Sequence, residues 1–581
     1  MATTDGPQTA AAHAATEGAR LEAALMRLNQ RKTSWARLSL KRKIEYLREV
    51  QERTLENAER WVQAGAEAKR LAPGSPLVGA EEWLGGPYPV VAWITASIQT
   101  LEALEAGADP LAHVKAWTRR DGTVAVRVLP TNLYERLLFN RVEAQVWMQE
   151  RVTEANLRDN MAAFYRQRDP EGTLSLVLGA GNVGAIVPLD ILDRMINQGQ
   201  VVICKMNPIN DYLGPIFEQI FAPLIRDGYL QIVYGGSDVG EFLTGHELVR
   251  AIHITGSATT HDMIVYGAGE EGARRKAADE RVLDKPITSE LGGVGGTIVL
   301  PGLWSDADFA YQAEHVVTQK LHSSGHTCVA NQVVILPSGW NGKAKFLAAL
   351  ERALTGSESR EAYYPGTQER LQRLREADPS VRELGVDQPR LIAREIDASA
   401  DHHAFREELF GPAIATTSLP GDAAEFLRAA VRFANERLYG TLGVNLIVDP
   451  RTAKHLGDEL DRAVADLRYG GVAINIWVAM AFLLARAAWG AFPGHRLSDV
   501  QSGIGVVHNA LMFDKPEKTV VFAPFRPFPR SVAHGELALL PKPPWFLTNK
   551  TSTSTAHKLT EFAADPSPKR LPALFVSALR G

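Results

Sequence analysis

The chain has 581 residues, of which 45% are hydrophobic and 22% are charged, so it is globular and too long for one ordinary core. Its net charge of −4 provides no basic excess, and nucleic acid is therefore not an expected partner. The only cysteines, Cys204 and Cys328, argue against a disulfide framework and favour a reducing compartment.

Residues 1–20 predict a disordered tail. This segment lacks the basic and apolar regions of a signal peptide. Residues 21–66 carry apolar side chains at helical spacing among charges, which predicts amphipathic helices. Asp121-Gly122 lies between two extended runs and predicts a hairpin near 116–130. Residues 133–167 are charged and have a helical pattern.

Short apolar runs then alternate with helical segments, and this rhythm predicts an α/β class of fold with two α/β domains built on parallel sheets. The predicted strands are 174–178, 201–205, 230–234, 251–255, 296–300, 332–336, 413–418, 443–448 and 471–476. The longest apolar run, 476–485, is too short to span a bilayer. We therefore expect a cytoplasmic protein that is not associated with a membrane.

The glycine-rich loop at 179–184 fits the G-x-G-x-x-G pattern that binds a pyrophosphate at a helix N-terminus. That fingerprint also requires an acidic residue about twenty positions later, where it holds a ribose hydroxyl. The next strand ends at Lys205 instead, with no carboxylate there. An ordinary Rossmann site is therefore not the favoured interpretation of this loop.

Three further motifs occur after this loop, and their order along the chain points to a chemistry. They are Ser-Glu-Leu-Gly-Gly at 289–293, Ser-Gly-His-Thr-Cys at 324–328 and Glu-Glu-Leu-Phe-Gly-Pro at 407–412. In this order and spacing they resemble the aldehyde dehydrogenase superfamily, over roughly residues 20–525. The chemistry of such a set is covalent, because a thiolate attacks a carbonyl and a carboxylate later activates water.

The resemblance implies a catalytic role for three residues. Cys328 would be the nucleophile, Glu290 the base, and the Asn182 amide would hold the oxyanion together with the Cys328 backbone N–H. Small residues and backbone amides around Cys328 are expected to favour its thiolate. The alternatives are that Cys328 is a small buried hydrophobic residue and that Asn182 satisfies its own turn. Cys204 lies in an apolar strand and has no predicted role.

The resemblance also implies NAD or NADP as the cofactor. The cofactor-binding residues it assigns are Lys205, Gly256, Ser257, Glu408 and Phe410. The alternatives are a plain N-cap for Ser257 and a solvated charge for Glu408. Pro208 stands where NAD-preferring relatives often have a Glu, so nothing there would repel the phosphate of NADP. No metal site is predicted, and the insertion at 270–281 has no predicted role.

The implied function is NAD(P)-dependent oxidation of an aldehyde to a carboxylic acid through a thiohemiacetal and a thioester. Two alternatives stay open, namely a reductase of coenzyme A or carrier thioesters and a catalytically silent cofactor-binding relative. Apolar aromatic residues between 474 and 494 occupy the region where relatives line the substrate entrance. They indicate a hydrophobic aldehyde, although core packing is the commoner explanation of such a run.

The predicted domains combine these segments. They are a cofactor-binding domain at 21–290, interrupted by the hairpin, a catalytic domain at 291–495, an oligomerisation strand region at 496–525 and a C-terminal extension at 526–581. The strand within 514–521 resembles one that joins a neighbouring subunit's sheet, with the hairpin as its partner, so a homodimer or homotetramer is expected. The extension predicts an extended strap with one terminal helix at 571–579.

Overall fold

The computed structural model describes residues 7–581, with side chains described from residue 17 onwards. The strands are β1 Ala116–Thr118, β2 Val124–Leu129, β3 Glu143–Met148, β4 Leu174–Leu178, β5 Val201–Lys205, β6 Leu230–Val233, β7 Ala251–Gly256, β8 Ile287–Leu291, β9 Gly295–Val299, β10 Asn331–Pro337, β11 Arg382–Leu384, β12 Arg390–Ile396, β13 Ala413–Leu419, β14 Gly443–Ile447, β15 Gly471–Ile474, β16 Ala488–Gly490, β17 Gly503–Ile504, β18 Val506–His508 and β19 Pro516–Phe522. Each strand predicted between 174 and 476 is present, with ends that shift by one or two residues.

Helices cover the faces of the strands. They are α1 Pro7–Ala36, α2 Leu40–Ala68, α3 Pro87–Glu105, α4 Leu133–Leu138, α5 Ile186–Leu192, α6 Gly214–Ile220, α7 Ala222–Arg226, α8 Ser237–Gly245, α9 Ala258–Tyr266, α10 Gly269–Ala278, α11 Asp306–Leu321, α12 Lys343–Gly356, α13 Thr367–Ala377, α14 His403–Arg406, α15 Ala423–Arg437, α16 Pro450–Leu456, α17 Asp458–Asp466, α18 Ala479–Leu483, α19 Arg530–Ala533, α20 Ser552–Ala564 and α21 Leu571–Ala578. Short π or 3-10 segments lie at Val78–Trp83, Leu157–Asn160, Ala163–Arg166, Asp193–Asn197, Asp211–Leu213 and His322–Gly325. Within residues 7–581, no helix is both long enough and apolar enough to cross a membrane.

Two sheets organise the molecule. The smaller has six strands in the order β17-β8-β7-β4-β5-β6, and only β17 runs antiparallel to its neighbour. The larger has eleven strands in the order β1-β2-β3-β19-β15-β14-β9-β10-β13-β12-β11, with a parallel centre and antiparallel strands toward both edges. The central strands are buried on both faces, which is why they are continuous apolar runs in the sequence.

The late strand does not need a neighbouring subunit for its pairing, which corrects the sequence-based expectation. Strand β19 pairs in parallel with β15 and antiparallel with β3 of the same chain. The predicted hairpin forms, with Trp117 opposite Ala125, but it contacts β19 only through the intervening β3. The helical interpretation of 133–167 is likewise wrong at Glu143–Met148, because every second residue there is needed to cover the sheet. A homodimer or homotetramer stays a prediction.

The two termini also differ from their predicted forms. Helix α1 overlaps the segment predicted to be disordered, of which residues 1–6 lie outside the described part of the chain. The Ser- and Thr-rich run near 548–555 was expected to be extended, yet α20 begins at Ser552 and continues to Ala564. This helix packs on α3, where Thr95 donates a hydrogen bond to Ala563 O at 2.8 Å. Tertiary contacts therefore outweigh the weak local helix propensity.

Candidate active site

A single deep cleft of about 970 Å³ opens at the carboxyl ends of β4, β5, β7 and β8. Ligands in α/β proteins bind at this end of the strands. The volume of the cleft lies at the upper end of the range for small-molecule sites. All eight residues singled out in the sequence line this cleft: Asn182, Lys205, Gly256, Ser257, Glu290, Cys328, Glu408 and Phe410. Sequence-distant motifs are thus brought to one surface.

Cys328 lies where this cleft meets a second, apolar cavity of about 60 Å³, here called the inner cavity. Cys328 and Ile186 line both spaces. The walls of the inner cavity include Trp477, Met480 and Trp489, the aromatic region noted in the sequence. Ligands can therefore approach the Cys328 thiol from the cleft on one side and from the apolar inner cavity on the other.

The backbone before Cys328 is strained. Helix α11 ends at Leu321, and the next turn contains Ser323, Ser324 and Gly325 with φ values of 52°, 54° and 83°. Non-glycine residues adopt this left-handed region only when surrounding contacts hold them there. Gly325 is required, because a Cβ at this position would lie 2.4 Å from Gly411 O.

A buried ion pair holds this strained turn. Glu81, on the π segment Val78–Trp83, accepts a hydrogen bond from the Ser323 backbone N–H at 2.7 Å. Arg360 donates to both oxygens of the same carboxylate, each at 2.9 Å, and the Glu81 side chain is fully buried. Although burial acts to raise it, the Arg360 guanidinium holds the pKa of Glu81 below its ordinary value. Sequence reasoning missed this pair, since its members lie far apart in the chain.

Glu81→Gln is expected to destabilise the protein by about 3 kcal/mol or more, because it leaves the buried Arg360 charge without its counter-ion. It should also lower kcat by releasing the turn before Cys328. Urea unfolding and steady-state kinetics measure the two effects. Glu271→Gln is the matched control, because Glu271 pairs with Arg274 on the exposed helix α10, and its urea midpoint should not change. An equal response of both variants would contradict the assigned role of Glu81.

Cys328 and Glu290 both line the cleft, and each affects the pKa of the other. Burial raises the pKa of Glu290 to about 7, while the neighbouring Cys328 thiol and the Trp489 N–H oppose that rise. Burial, followed by the Glu290 charge, raises the pKa of Cys328 well above its ordinary value. The expectation that the surroundings favour the thiolate is therefore wrong for this state of the site. The thiol keeps its proton and has a carboxylate beside it to receive that proton.

A second carboxylate, Glu408, lines the same cleft. Burial raises the pKa of Glu408 to about 8, against the opposing charges of Lys320 and Arg370. Gly292 allows this approach, because a Cβ there would lie 2.3 Å from the Glu408 carboxylate. Phe410, with φ 36°, packs edge-on against Tyr364 at 4.9 Å. Glu408 is thus a half-buried group in the cleft, which contradicts the alternative of a solvated surface charge.

Asn182 connects the glycine-rich loop to the turn that carries the cysteine. Its Nδ2 donates a hydrogen bond to His326 O at 3.0 Å, and Tyr363 Oη donates to Asn182 O at 3.3 Å. One amide N–H of Asn182 is thereby engaged. Its second N–H leaves a donor for a ligand in the cleft.

His326, which had no assigned role, is a buried support. Its Nε2 lies 3.0 Å from Thr367 Oγ1, and its ring packs against Tyr363 and Phe410 at 4.7 and 5.4 Å. Burial lowers the pKa of His326 well below its ordinary value. It is therefore neutral near pH 7 and adds no positive charge beside Cys328.

The far end of the cleft carries the residues expected to contact a cofactor. Lys205 lies at the end of β5, and burial lowers its pKa. Ser257 is the N-cap of α9, with its Oγ accepting from Thr260 N at 3.2 Å. Gly256 lines the cleft, and a Cβ there would make only ordinary contact with the Ile254 side chain at 3.7 Å, so a ligand can approach this helix N-terminus. The insertion at 270–281 forms most of α10, and its residues do not line the cleft.

Comparison with known proteins shows which family this chain is similar to. Residues 99–376 match the family model described as the aldehyde dehydrogenase family. A protein of Staphylococcus epidermidis named as a candidate aldehyde dehydrogenase is 24% identical over 346 residues, 54% of this chain and 68% of that protein. Coniferyl aldehyde dehydrogenase of a Pseudomonas species is 24% identical over 294 residues, 44% of this chain and 58% of that protein.

Solved structures share the fold at low identity. Lactaldehyde dehydrogenase from Escherichia coli has 16% identity and a TM-score of 0.56, with 87% of this chain and 90% of that one covered. Aldehyde dehydrogenase C of Pseudomonas syringae, crystallised as a mutant with NAD+ and octanal, has 17% identity and a TM-score of 0.53, with 88% and 90% covered. Residues 99–376 are thus similar to the aldehyde dehydrogenase family, and most of the chain shares the fold of its solved members. Family and fold together support an oxidoreductase that acts on aldehydes.

Sequence reasoning missed several residues of this site. Arg370 and Arg373 lie on α13, whose many charges are typical of a solvated helix, yet both line the cleft. Lys320 is fully buried on α11, and its charge acts on the pKa of Glu408. One sequence feature could have indicated the ion pair at this turn. Glu81 is followed by a second acidic residue within an apolar run, and buried carboxylates require partners.

Proposed function

We propose that this protein oxidises an aldehyde to a carboxylic acid with NAD or NADP, through a covalent intermediate on Cys328. The observation that carries the proposal is that Cys328 and Glu290 line the same cleft, with Cys328 at its junction with the inner cavity and the charge of Glu290 acting on the thiol. A nucleophile with a base beside it, next to an apolar space for the substrate, suits acyl chemistry.

The chain's own groups account for the proton movements. As the Cys328 sulfur bonds to the aldehyde carbon, Glu290 accepts the thiol proton. The new alkoxide on the former carbonyl oxygen is stabilised by the free N–H of Asn182 and by the Cys328 backbone N–H. Glu290 then returns its proton to solvent, because only the ionised form can activate water for the next step.

The second half of the cycle releases the acid. Once the former aldehyde carbon has lost its hydride, the group on Cys328 is a thioester. Glu290 removes a proton from water as the water oxygen attacks this carbonyl, the carbon–sulfur bond breaks, and the acid leaves. The carboxylate beside Cys328 favours this hydrolysis over transfer to another thiol.

The cleft fits a nicotinamide dinucleotide, which would supply the acceptor for the hydride. Lys205, Ser257 and the Gly256 backbone would hold its adenosine and phosphate end. Glu408 and Phe410 would hold the ribose and ring at the Cys328 end. One structural neighbour was crystallised with NAD+, and this supports the proposed use of such a cofactor here.

Lys205→Ala is expected to raise KM for NADP about tenfold or more, since charge-assisted hydrogen bonds contribute roughly 1.5–3 kcal/mol. The rise for NAD should be smaller, because NAD lacks the additional phosphate. Initial rates with each cofactor give both values. Lys276→Ala serves as the control, because Lys276 pairs with Asp262 outside the cleft. Unchanged KM values for both cofactors would contradict the role given to Lys205.

The proposed activity is tested by incubating the purified protein with aliphatic and aromatic aldehydes and with either cofactor. Formation of the reduced cofactor and of one equivalent of carboxylic acid is expected. Absence of turnover with all aldehydes, or consumption of reduced cofactor only with acyl thioesters, would overturn the proposal.

A further inference from the structure

The C-terminal extension builds a second apolar space beyond the inner cavity. This outer cavity, of about 80 Å³, is lined on one side by α18 and by Tyr88, and on the other by Leu540, Trp545, Leu559 and Leu574 of the extension. Its walls are almost wholly apolar. Residues 540–578 therefore contribute about half of the lining of this hydrophobic space.

The inner and outer cavities adjoin. Leu84, Met480, Leu483 and Trp545 line both of them, so the Trp545 side chain lies at the boundary. The inner cavity in turn is lined by Cys328. The two cavities thus form a continuous apolar series that begins at the proposed nucleophile and ends within the extension.

Trp545 differs from the other indoles at this site. Trp477 Nε1 donates to Val329 O at 3.2 Å, and Trp489 Nε1 donates to Glu290 at 3.4 Å. Trp545 is 9% exposed, yet its indole nitrogen has no partner among the described residues. Movement of this side chain therefore breaks no hydrogen bond, whereas movement of the other two does.

The rest of the extension is fixed to the catalytic body. Arg526 donates to both carboxylate oxygens of Asp308, at 2.8 and 2.9 Å. Phe546, next to Trp545, stacks on Tyr311 with a centroid distance of 5.1 Å. The extension is therefore anchored near the outer cavity, while Trp545 at the boundary is held only by packing.

We propose that the outer cavity is the distal half of the substrate site, and that it takes the unbranched alkyl chain of a medium- or long-chain aldehyde past Trp545. The inference rests on the proposed function, because the aldehyde carbon must reach Cys328. Each cavity is smaller than the roughly 150 Å³ that admits benzene. An unbranched chain therefore enters as the Trp545 side chain moves aside, and a fused ring requires a larger displacement of the same side chain.

The test compares decanal with propanal in paired variants of α21. Ala578 lines the outer cavity, whereas Val576 is 49% exposed on the same helix and lines neither cavity. Ala578→Trp fills the outer cavity and should lower the ratio of kcat/KM for decanal to that for propanal at least tenfold, since each excluded methylene costs about fourfold. Val576→Trp should leave this ratio unchanged.

A second variant covers the case in which Ala578→Trp disturbs folding. Trp545→Ala removes the boundary and should raise kcat/KM for 2-naphthaldehyde relative to decanal about tenfold. Unchanged ratios in both Ala578→Trp and Trp545→Ala would overturn the inference.

Binding separates this inference from the proposed function. Decanoic acid, titrated calorimetrically without cofactor, should bind at least tenfold more weakly to Ala578→Trp than to the wild type or to Val576→Trp. If this difference is found while no aldehyde is oxidised, the proposed function fails and the cavity assignment stands. If decanoic acid does not distinguish the variants, the cavity assignment fails.

Discussion

Cys328→Ala is expected to lower kcat for aldehyde oxidation by at least about a thousandfold, because no covalent intermediate can form without the sulfur. Binding of cofactor should persist, since the far end of the cleft does not depend on this side chain. Steady-state rates with an aldehyde and either cofactor, together with a cofactor binding isotherm, measure the two properties separately.

The second cysteine provides the control for this experiment. Cys204 is buried in β5, and burial raises its pKa, so it neither reaches the cleft nor ionises near neutral pH. Cys204→Ala should therefore keep wild-type kcat. Full activity of Cys328→Ala, or a loss of equal size in Cys204→Ala, would show that the nucleophile is wrongly assigned.

Glu290→Gln is expected to lower kcat by roughly a hundredfold to ten-thousandfold, the range contributed by a positioned general base. The amide cannot activate water, so thioester hydrolysis should become the slow step. Rapid mixing should then show a burst of reduced cofactor, close to one equivalent per active site, followed by a slow steady state. A uniform loss without a burst would place Glu290 only in the first step.

The pH dependence gives an independent measure of the same carboxylate. Burial raises the pKa of Glu290 to about 7, so its basic form is present above that pH and is lost as the pH falls through it. The hydrolysis step should therefore slow on the acid side of pH 7 in the wild type, and this limb should disappear in Glu290→Gln. Glu407→Gln, an exposed carboxylate variant, should retain it.

The sequence predicted the parallel strands well because buried strands such as β5 are uninterrupted apolar runs with turn residues at each end. It failed at β3, where Glu143 and Gln145 alternate with buried residues on an antiparallel strand flanked by charges. It also failed at α20, whose Ser and Thr content disfavours a helix that packing on α3 nevertheless stabilises. Local signals cannot report such long-range contacts.

The functional site, like the fold, could be predicted from the sequence only in part. Motif order brought Glu290, Cys328 and Glu408 to notice, and the three residues line one cleft. The support of the turn by Glu81 and Arg360 could not be predicted, since it joins segments 279 positions apart. The raised pKa of Cys328 was also missed, because burial and a neighbouring carboxylate are properties of the folded site and not of the motif.

Covalent trapping tests the central proposal most directly. Glu290→Gln is mixed with an aldehyde and cofactor, quenched in acid and analysed by mass spectrometry of the intact protein and its peptides. We expect one acyl group per chain, added only when cofactor is present and located on the peptide that contains Cys328. An unmodified Cys328 during turnover, or an acyl group on any other residue, would contradict a thioester at this cysteine.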